Sequence, residues 1–368
     1  MAEALATVNT TAKKYFAGAQ DSTLRRRLLL KLLEKNGRIK FNENGTTCTW
    51  NVEFAQQAVQ PHGAVGEYTF SQHDGYRQLE IDVRGYVATD MMTTKDQLMN
   101  KGNVAIINRY AEIFPQLLKS LNNNFHAELY IDGNLAGNTN RLHGVKSFLG
   151  YTACTTADLV AQPNDTYGGQ STALAAQAGT WSSDLASADY PNATLANDWP
   201  DGNGTSEYDY ISPVIVNINS TRWGATSNWA DNCGKILRRT TTWLTKNGGQ
   251  EGKPTCYMMG NQRFNGYQDY QEVKFRNIIP HPEARDLGFP DALNQDGVMV
   301  KYEFDVPAVE VFGLNIYQME LASWDSVLFG TRGPFYDIRS DAYLFKAGFF
   351  GNMRYFPKAF GRIRDATS

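Results

Sequence analysis

The sequence predicts an α+β protein, in which helices and antiparallel strands occupy separate stretches of the chain. Apolar and polar residues alternate on either side of a long loop within residues 47–83, which indicates two half-buried strands. A helical stripe of apolar residues then continues for about 25 residues from Asn103. Between residues 227 and 275 a helix, a strand and a helix follow closely, which is typical of a small α/β unit.

The composition is that of a globular protein. Of the 368 residues, 42% are hydrophobic and 20% are charged, so the chain has enough apolar surface for about two or three domains. The net charge of −3 predicts no general attraction to nucleic acid or to membranes. There is no signal-like N-terminal core and no apolar run near ~20 residues, and the four cysteines are far apart. We therefore expect synthesis in a cytoplasm, reduced thiols and no membrane partner.

The N-terminal region is predicted to be an arm followed by a helix. Residues 1–20 have few large apolar side chains, whereas Asp21 and Ser22 can cap a helix that extends to Lys35 and ends at Gly37. Its basic residues favour either a packing helix with solvated charges or a surface that meets phosphates or an acidic partner.

Two strands with a long connection follow this helix. Cys48, Trp50 and Val52 alternate with polar residues in the first strand, and Leu79 and Ile81 do so in the second. Phe54 and Val83 extend the two apolar faces. The connection, residues 55–77, has no regular period and is too long for an ordinary hairpin, so we expect an arm that lies on a neighbouring subunit. The predicted interface residues of this arm are Val59, Pro61, Tyr68, Phe70, Tyr76 and Arg77.

The longest predicted helix covers residues 103–131. Apolar residues recur at helical spacing from Ile106 to Leu129, a rise of about 40 Å, and Asp132-Gly133 ends the helix. Pro115 lies in the middle and should kink or split it, because proline removes a backbone hydrogen bond.

The rest of the chain alternates between irregular and regular structure. Residues 150–210 are rich in Asn, Asp, Gly, Ser and Thr and predict long connections. A strand at Val214–Ile218 and a helix at 227–247 follow, and the helix has a buried stripe of Trp229, Cys233, Ile236, Leu237 and Leu244. The remaining predicted elements are a strand at Thr255–Met259, a helix at Asn261–Phe275, and strands at Gly297–Phe304, Asn315–Leu321 and Ala342–Tyr355.

The search for chemistry predicts no catalytic residues, no cofactor site and no metal site. Cys233-Gly234-Lys235 is similar to the end of a phosphate-binding loop, but Trp229 and Ile236 replace residues that such a loop requires. The five histidines have no metal-binding spacing, and His126 favours a packing or surface role. Carboxylates at Asp198, Asp201, Glu207 and Asp209 favour a solvated loop over a calcium site, an alternative that stays open.

The order of these elements resembles the major capsid proteins of tailed bacteriophages, which have the Hong Kong 97-type fold. The segments NKGNVAIINRYAEIFPQLLKSLNNNFHAELYIDG and DTYGGQSTALAAQAGTW carry the resemblance best. The resemblance implies an N-terminal arm and helix at 1–44, an extended loop (the E-loop) at 45–92, and a peripheral domain (the P-domain) at 93–221 containing the spine helix. It also implies an α/β axial domain (the A-domain) at 222–321 and return strands of the P-domain at 322–368.

The resemblance also implies a function and partners. The chain would be a structural, non-enzymatic protein that assembles with itself, as hexamers and pentamers, into an icosahedral shell. Expected partners are a portal, a separate scaffolding protein and double-stranded DNA bound without sequence preference, in a virion assembled in the host bacterial cytoplasm. Some capsids of this kind join subunits through a lysine of the E-loop, but no lysine occurs between Phe41 and Thr94.

Three alternatives remain at this stage. An encapsulin-like compartment shell would resemble the same fold. A β-rich carbohydrate-binding protein would account for Tyr, Trp, Asn and Gly in residues 150–210. A hydrolase whose site is assembled from distant segments is the third.

Overall fold

A computed structural model of the chain describes the following residues: 27–53, 59–63, 66–68, 70, 72, 75–99, 109–149, 166–172, 211, 213–219, 228–247, 252–275, 282–286 and 292–365. The predicted arm at 1–20, the caps Asp21 and Ser22, Phe54, and the acidic residues between 198 and 209 lie outside them. None of the helices in the described ranges has the length and apolarity needed to cross a membrane.

The first helix, α1, spans Leu29–Lys35 and begins later than predicted. Arg27 is not helical, because its buried guanidinium pairs with Asp305, with Nε at 2.9 Å from Oδ2. The backbone N–H of Leu28 donates to Glu303. These tertiary contacts replace the predicted helical turn. At the other end, Gly37 adopts a φ of 63°, which matches its predicted role in ending the helix.

The two predicted strands form an antiparallel hairpin of β2 (Thr47–Glu53) and β3 (Tyr76–Asp82). Cys48, Val52, Leu79 and Ile81 are buried, so the alternation predicted from the sequence is confirmed. Val83 lies just beyond β3. We call β2 and β3, with the described residues between them, the hairpin arm.

A five-stranded sheet lies beside the base of the hairpin arm. Its long strand β14 (Ala342–Tyr355) matches the predicted bounds and pairs with three neighbours. These are β4 (Arg84–Thr93), β12 (Met319–Ser323) and β13 (Gly330–Asp337), and the short β1 (Ile39–Lys40) is added parallel to β12. β4 begins within residues 45–92, which the sequence assigns to the E-loop.

Helix α3 (Arg109–Glu128) packs on one face of this sheet, after a short helix α2 (Thr94–Met99). Ile113, Leu117 and Leu121 are buried against Phe345, Ala347 and Met92, as the apolar stripe predicts. Of the two outcomes predicted for Pro115, the helix is not split, because α3 continues through this exposed residue, and the kink stays a prediction. The loss of one hydrogen bond on the solvent side is tolerated because the apolar face stays packed.

A six-stranded sheet forms the α/β unit, with strand order β7, β15, β11, β8, β10, β9. Helices α4 (Trp229–Asn247) and α5 (Asn261–Phe275) pack against each other, and the predicted stripe of α4 is buried. A short helix, α6 (Pro282–Asp286), precedes β9. The strands are β7 (Val214–Asn217), β8 (Cys256–Met259), β9 (Leu293–Gln295), β10 (Val298–Tyr302), β11 (Val311–Leu314) and β15 (Gly361–Arg364).

The predicted strand Asn315–Leu321 is wrong in its first part, since only its last three residues belong to β12 (Met319–Ser323). The Asn315 side chain accepts a hydrogen bond from the N–H of Tyr317, and Ile316–Gln318 form a 3₁₀ turn. This turn carries the chain from β11, in the six-stranded sheet, to β12, in the five-stranded sheet. The segment therefore joins two layers, and the core around Phe312, Ile316 and Met319 is continuous between them.

Candidate intersubunit surface

The base of the hairpin arm is fixed to the five-stranded sheet by a buried amide. Asn352 of β14 is fully buried, and its Nδ2 donates to the carbonyl of Asp82 at 2.7 Å. Its Oδ1 accepts from the N–H of His143 at 3.0 Å and from that of Met353 at 2.8 Å. One side chain thus ties the end of β3, the sheet and the loop after α3 together.

A second set of contacts fixes the turn into β4. Arg84 donates from Nη1 to the carbonyls of Gly133 and Asn138, at 3.0 and 3.1 Å. Tyr86 donates to Glu128 at the end of α3, at 2.6 Å. Burial, and then the hydrogen bond to Glu128, raise the pKa of Tyr86 well above its ordinary value, so this phenol stays protonated.

The buried face of the arm rests on a small hairpin of β5 (Thr166–Tyr167) and β6 (Gln170–Ser171). The ring of Tyr167 lies 5.8 Å from that of Trp50, and its hydroxyl donates to the carbonyl of Met353 at 2.8 Å. The carbonyl of Gly168 accepts from the N–H of Glu80. The base of the arm is therefore built rigidly, from several elements.

Beyond this base, the predicted interface residues are exposed. Val59 is 93% exposed, Phe70 92%, Tyr68 65% and Tyr76 62%. Pro61 and Arg77 are exposed as well. The ring of His62, a residue that the sequence analysis did not single out, stacks on Tyr68 at 4.5 Å. Large apolar side chains held in water are typical of a surface that a partner covers.

A second exposed apolar surface was missed in the sequence. On the five-stranded sheet, the face opposite α3 presents Val87, Met91, Phe335 and Leu344, which pair across β4, β14 and β13. Arg332 and Lys346 lie on the same face, directly opposite each other. We call this the outer face. In the sequence, the residues of β4 that point to this face are Val87, Thr89 and Met91, and those that point to α3 are Tyr86, Ala88 and Met92. Because both sets contain apolar residues, the sequence shows no clear alternation of apolar and polar residues here.

An ionic cluster in the interior holds the segment before α1. Glu303 and Asp305 face Arg27, and His126 of α3 lies nearby. Burial, partly opposed by the N–H of Leu28, raises the pKa of Glu303 to about 7. Burial and the Arg27 charge lower the pKa of His126 to about 3. His126 is thus a buried packing residue.

The described residues offer little that resembles a reaction centre. A groove of about 690 Å³ lies between the arm and the end of β14, where Arg354 pairs with Glu320 and Glu43. Burial raises the pKa of Cys48 to about 11 and those of Cys233 and Cys256 to about 12, so these three free thiols are unreactive at neutral pH. In the described ranges no three His, Cys, Asp or Glu residues are grouped as metal ligands.

Several solved capsid structures are similar to this chain over nearly its whole length. A chain of the cyanophage A-1(L) capsid asymmetric unit matches with a TM-score of 0.61 at 15% sequence identity, over 97% of this chain and 97% of that one. The capsid of an empty GTA particle matches with a TM-score of 0.52 at 12% identity, over 95% and 94%. The capsid of cyanophage P-SCSP1u matches with a TM-score of 0.51 at 10% identity, over 97% and 94%.

The chain has the fold of tailed-phage capsid proteins. The α+β class and the resemblance seen in the sequence are therefore confirmed at the level of the fold. No protein-family model matches the sequence, and no curated protein matches it. Along this chain the hairpin arm comes first, the long helix α3 follows, and the helices of the α/β unit come after it, in the order that the sequence predicts.

Proposed function

We propose that this chain is the major capsid protein of a tailed phage, which assembles with itself into the icosahedral shell around a double-stranded DNA genome. The observation that supports this most is a likeness of the whole chain to phage capsids, at a TM-score of 0.61 over 97% of both chains. The mature protein would be located in the capsid of the virion, after assembly in the host cytoplasm.

The hairpin arm is the part of the chain that we assign to contacts between subunits. Val59 and Phe70 are more than nine-tenths exposed, and Tyr68 and Tyr76 more than six-tenths. Burying a side chain of this kind stabilises a protein by about 1.5–3 kcal/mol. An isolated subunit does not gain this free energy, because the side chains stay in water. A neighbouring subunit that covers them gains this free energy on assembly.

We retain the domain assignments from the sequence as part of this proposal. They are the N-terminal arm and helix at 1–44, the E-loop at 45–92, the P-domain at 93–221 and 322–368, and the A-domain at 222–321. The spine helix corresponds to α3. The strands β7 and β15 fall within the ranges assigned to the P-domain, but they belong to the same six-stranded sheet as the A-domain strands, so the two domains share this sheet.

The protein is proposed to be structural and to need neither a catalytic centre nor a cofactor. Its main partner is itself, as hexamers and pentamers. A portal and a separate scaffolding protein would complete assembly. Packaged DNA would be contacted without sequence preference, and the net charge of −3 favours a wall that does not adhere strongly to it.

Electron microscopy of the purified protein tests the proposal. Uniform polyhedral shells are expected, and small discrete oligomers at every concentration would contradict it. Particles from the native source should contain nuclease-protected DNA. A protein cargo in place of DNA would favour the encapsulin-like alternative, and a monomer that binds one sugar on a glycan array would favour carbohydrate binding.

Deleting Pro61–Gly75 tests the role of the arm. The variant should be soluble and folded, because the buried clusters lie elsewhere, and it should fail to form shells. Phe70→Ser should weaken assembly in the same direction. Val273→Ser is the matched control, since Val273 is 78% exposed but lies on α5 of the α/β unit. Normal shells from the deletion variant would show that the arm is not an intersubunit contact.

A further inference from the structure

Several asparagines of this chain are followed directly by glycine, a sequence that can lose its side-chain amide without any enzyme. The main-chain nitrogen of the glycine attacks the carboxamide carbon of the asparagine, and a five-membered succinimide ring forms. Glycine favours this reaction, because it has no Cβ to hinder the ring and its backbone is flexible. Such pairs occur in the sequence at 36–37, 44–45, 203–204, 247–248 and 265–266.

The pair Asn44 and Gly45 lies in the loop of residues 41–46, which joins β1 to β2 of the hairpin arm. Both residues are exposed. Within the part of the chain that the structure describes, neither the Asn44 side chain nor the N–H of Gly45 has a hydrogen-bond partner. The two groups that react are therefore accessible to each other and to water.

The loop is held on both sides of this pair. The N–H of Glu43 donates to the carbonyl of Ser323 at 3.1 Å, and the carbonyl of Gly45 accepts from Nε1 of Trp324 at 2.9 Å. A β-linked aspartate at position 44 would add one carbon to the main chain between these two hydrogen bonds. The longer chain no longer fits both bonds, so at least one of them must weaken at the base of the hairpin arm.

Two other Asn-Gly pairs in the described ranges have their reacting groups hydrogen-bonded. At the end of α1, Nδ2 of Asn36 donates to the carbonyl of Leu32 at 2.8 Å, and the N–H of Gly37 donates to that of Glu34 at 3.1 Å. The pair at 265–266 lies inside α5, where each N–H is bonded to the carbonyl four residues earlier. Ring closure in these pairs requires local opening of the structure first.

We propose that Asn44 is a site of spontaneous deamidation in the folded protein. A bond forms between the nitrogen of Gly45 and Cγ of Asn44, the Cγ–Nδ2 bond breaks, and ammonia leaves with the proton of the Gly45 N–H. Water then opens the succinimide at either carbonyl, which gives aspartate or its β-linked isomer. The new carboxylate lies next to Glu43, whose own carboxylate pairs with Arg354 at 3.4 Å. The inference goes beyond the proposed function and does not depend on it.

Ageing the purified full-length protein at mildly alkaline pH, followed by peptide mapping with mass spectrometry, tests the proposal. In the folded protein Asn44 should be converted at least about tenfold faster than Asn36 or Asn265, because these two react only after local opening. In the chain unfolded in denaturant the three should react at similar rates, since glycine follows each of them. Asn44→Gln is the matched control and should stay unmodified at position 44, because its longer side chain would have to form a six-membered ring.

Two results would overturn the inference. If Asn44 stays intact in the folded protein but reacts in denaturant, the bonds to Ser323 and Trp324 hold its amide away from the Gly45 nitrogen. If Asn36 or Asn265 is converted as fast as Asn44 in the folded protein, hydrogen bonding does not select the site.

The melting temperature gives a second readout of the same reaction. Aged wild type should melt at a lower temperature than aged Asn44→Gln, because the β-linked product weakens the hydrogen bonds of Glu43 and Gly45 to the neighbouring segment. The two proteins should melt alike before ageing, since the Asn44 side chain makes no hydrogen bond to a described residue. Complete conversion with an unchanged melting temperature would contradict the predicted loss of these bonds.

Discussion

Glu303 is a buried carboxyl group that lies among other charged side chains. It is 3% exposed and accepts from the N–H of Leu28, while Arg27 is nearer to Asp305. Desolvation, with the repulsion from Asp305, raises its pKa from 4.5 to about 7, although Arg27 and Lys301 oppose this. The side chain is therefore partly protonated near neutral pH when the subunit is folded.

This shift predicts a pH-dependent stability. A folded pKa above the unfolded one means that ionisation is penalised, so stability is lost between about pH 4.5 and pH 7 as the pH rises. Glu303→Gln removes the penalty. The free energy of unfolding of the variant, relative to wild type, should increase by about 3 kcal/mol between about pH 4 and pH 8. Urea unfolding of the unassembled subunit measures it.

The buried histidines change the stability with pH in the opposite direction, and they do so equally in wild type and in Glu303→Gln. The pKa values of His126 and His143 are lowered by burial to about 3 and about 4, so their contribution is complete above pH 6.5 and is lost as the pH falls. They act equally in both proteins. Glu272→Gln, at an exposed position of α5, should leave the profile unchanged. A flat difference between Glu303→Gln and wild type would contradict the prediction.

Helices and strands whose apolar residues recur with a clear period could be predicted from the sequence. The hairpin arm, α4, α5 and β14 were predicted within a residue or two, because each has a buried face or a definite stop. β4 was missed because both of its faces contain apolar residues, and β13 because its Gly-Pro pair and exposed surface suggest a turn. Their identity as strands depends on β14, which is distant in sequence.

The start of α1 and the break at Asn315 were missed for a related reason. Arg27 leaves the helix to reach Asp305, and Asn315 turns the chain between two sheets. Both are tertiary contacts of single polar side chains, and no local pattern encodes them. The candidate site was predicted in part, since the arm is a local feature. The outer face was not, because it is assembled from β4, β13 and β14.

The proline within helix α3, Pro115, leads to a further prediction. The proline removes the hydrogen bond to the carbonyl of Ala111, which weakens the helix by about 3 kcal/mol relative to alanine. Since α3 spans the five-stranded sheet, we expect the weak point to let the helix change curvature as shells form or expand. Pro115→Ala should raise the melting temperature of the subunit and alter particle size or maturation.

Gln116→Ala, the adjacent exposed position, is the control and should change neither. Particle diameter by electron microscopy and melting temperature by calorimetry measure the two effects separately. Unchanged geometry and expansion in Pro115→Ala would leave the proline with no role beyond local helix stability.

The whole molecule combines a rigid body with surfaces that are incomplete in one copy. Buried aromatic residues such as Phe148, Tyr167 and Phe349 fill the core between the sheets and α3. The hairpin arm and the outer face remain exposed and present apolar side chains. Most of the apolar surface that assembly would bury therefore lies on parts that contribute little to folding, so folding and assembly can be separated by mutation.

The same surfaces predict a shell without covalent links between subunits. An isopeptide bond from the E-loop requires a lysine amine that is deprotonated enough to attack a carboxamide. No lysine occurs between Phe41 and Thr94, and Arg77 and Arg84 cannot replace it, because a guanidinium stays protonated. The buried ion pairs Arg362–Glu310 and Arg27–Asp305 are internal to one chain. Contacts between subunits therefore depend on apolar side chains and on surface charge.

Mature particles boiled in detergent under reducing conditions should run as one band near 41.1 kDa. Gln60→Lys or Gln72→Lys places a lysine at an exposed position of the arm. Treating these variants with an amine-reactive cross-linker is the control, because it measures whether a lysine in the loop is accessible. A ladder of multimers from untreated wild-type particles would mean that a lysine outside the arm forms the bond.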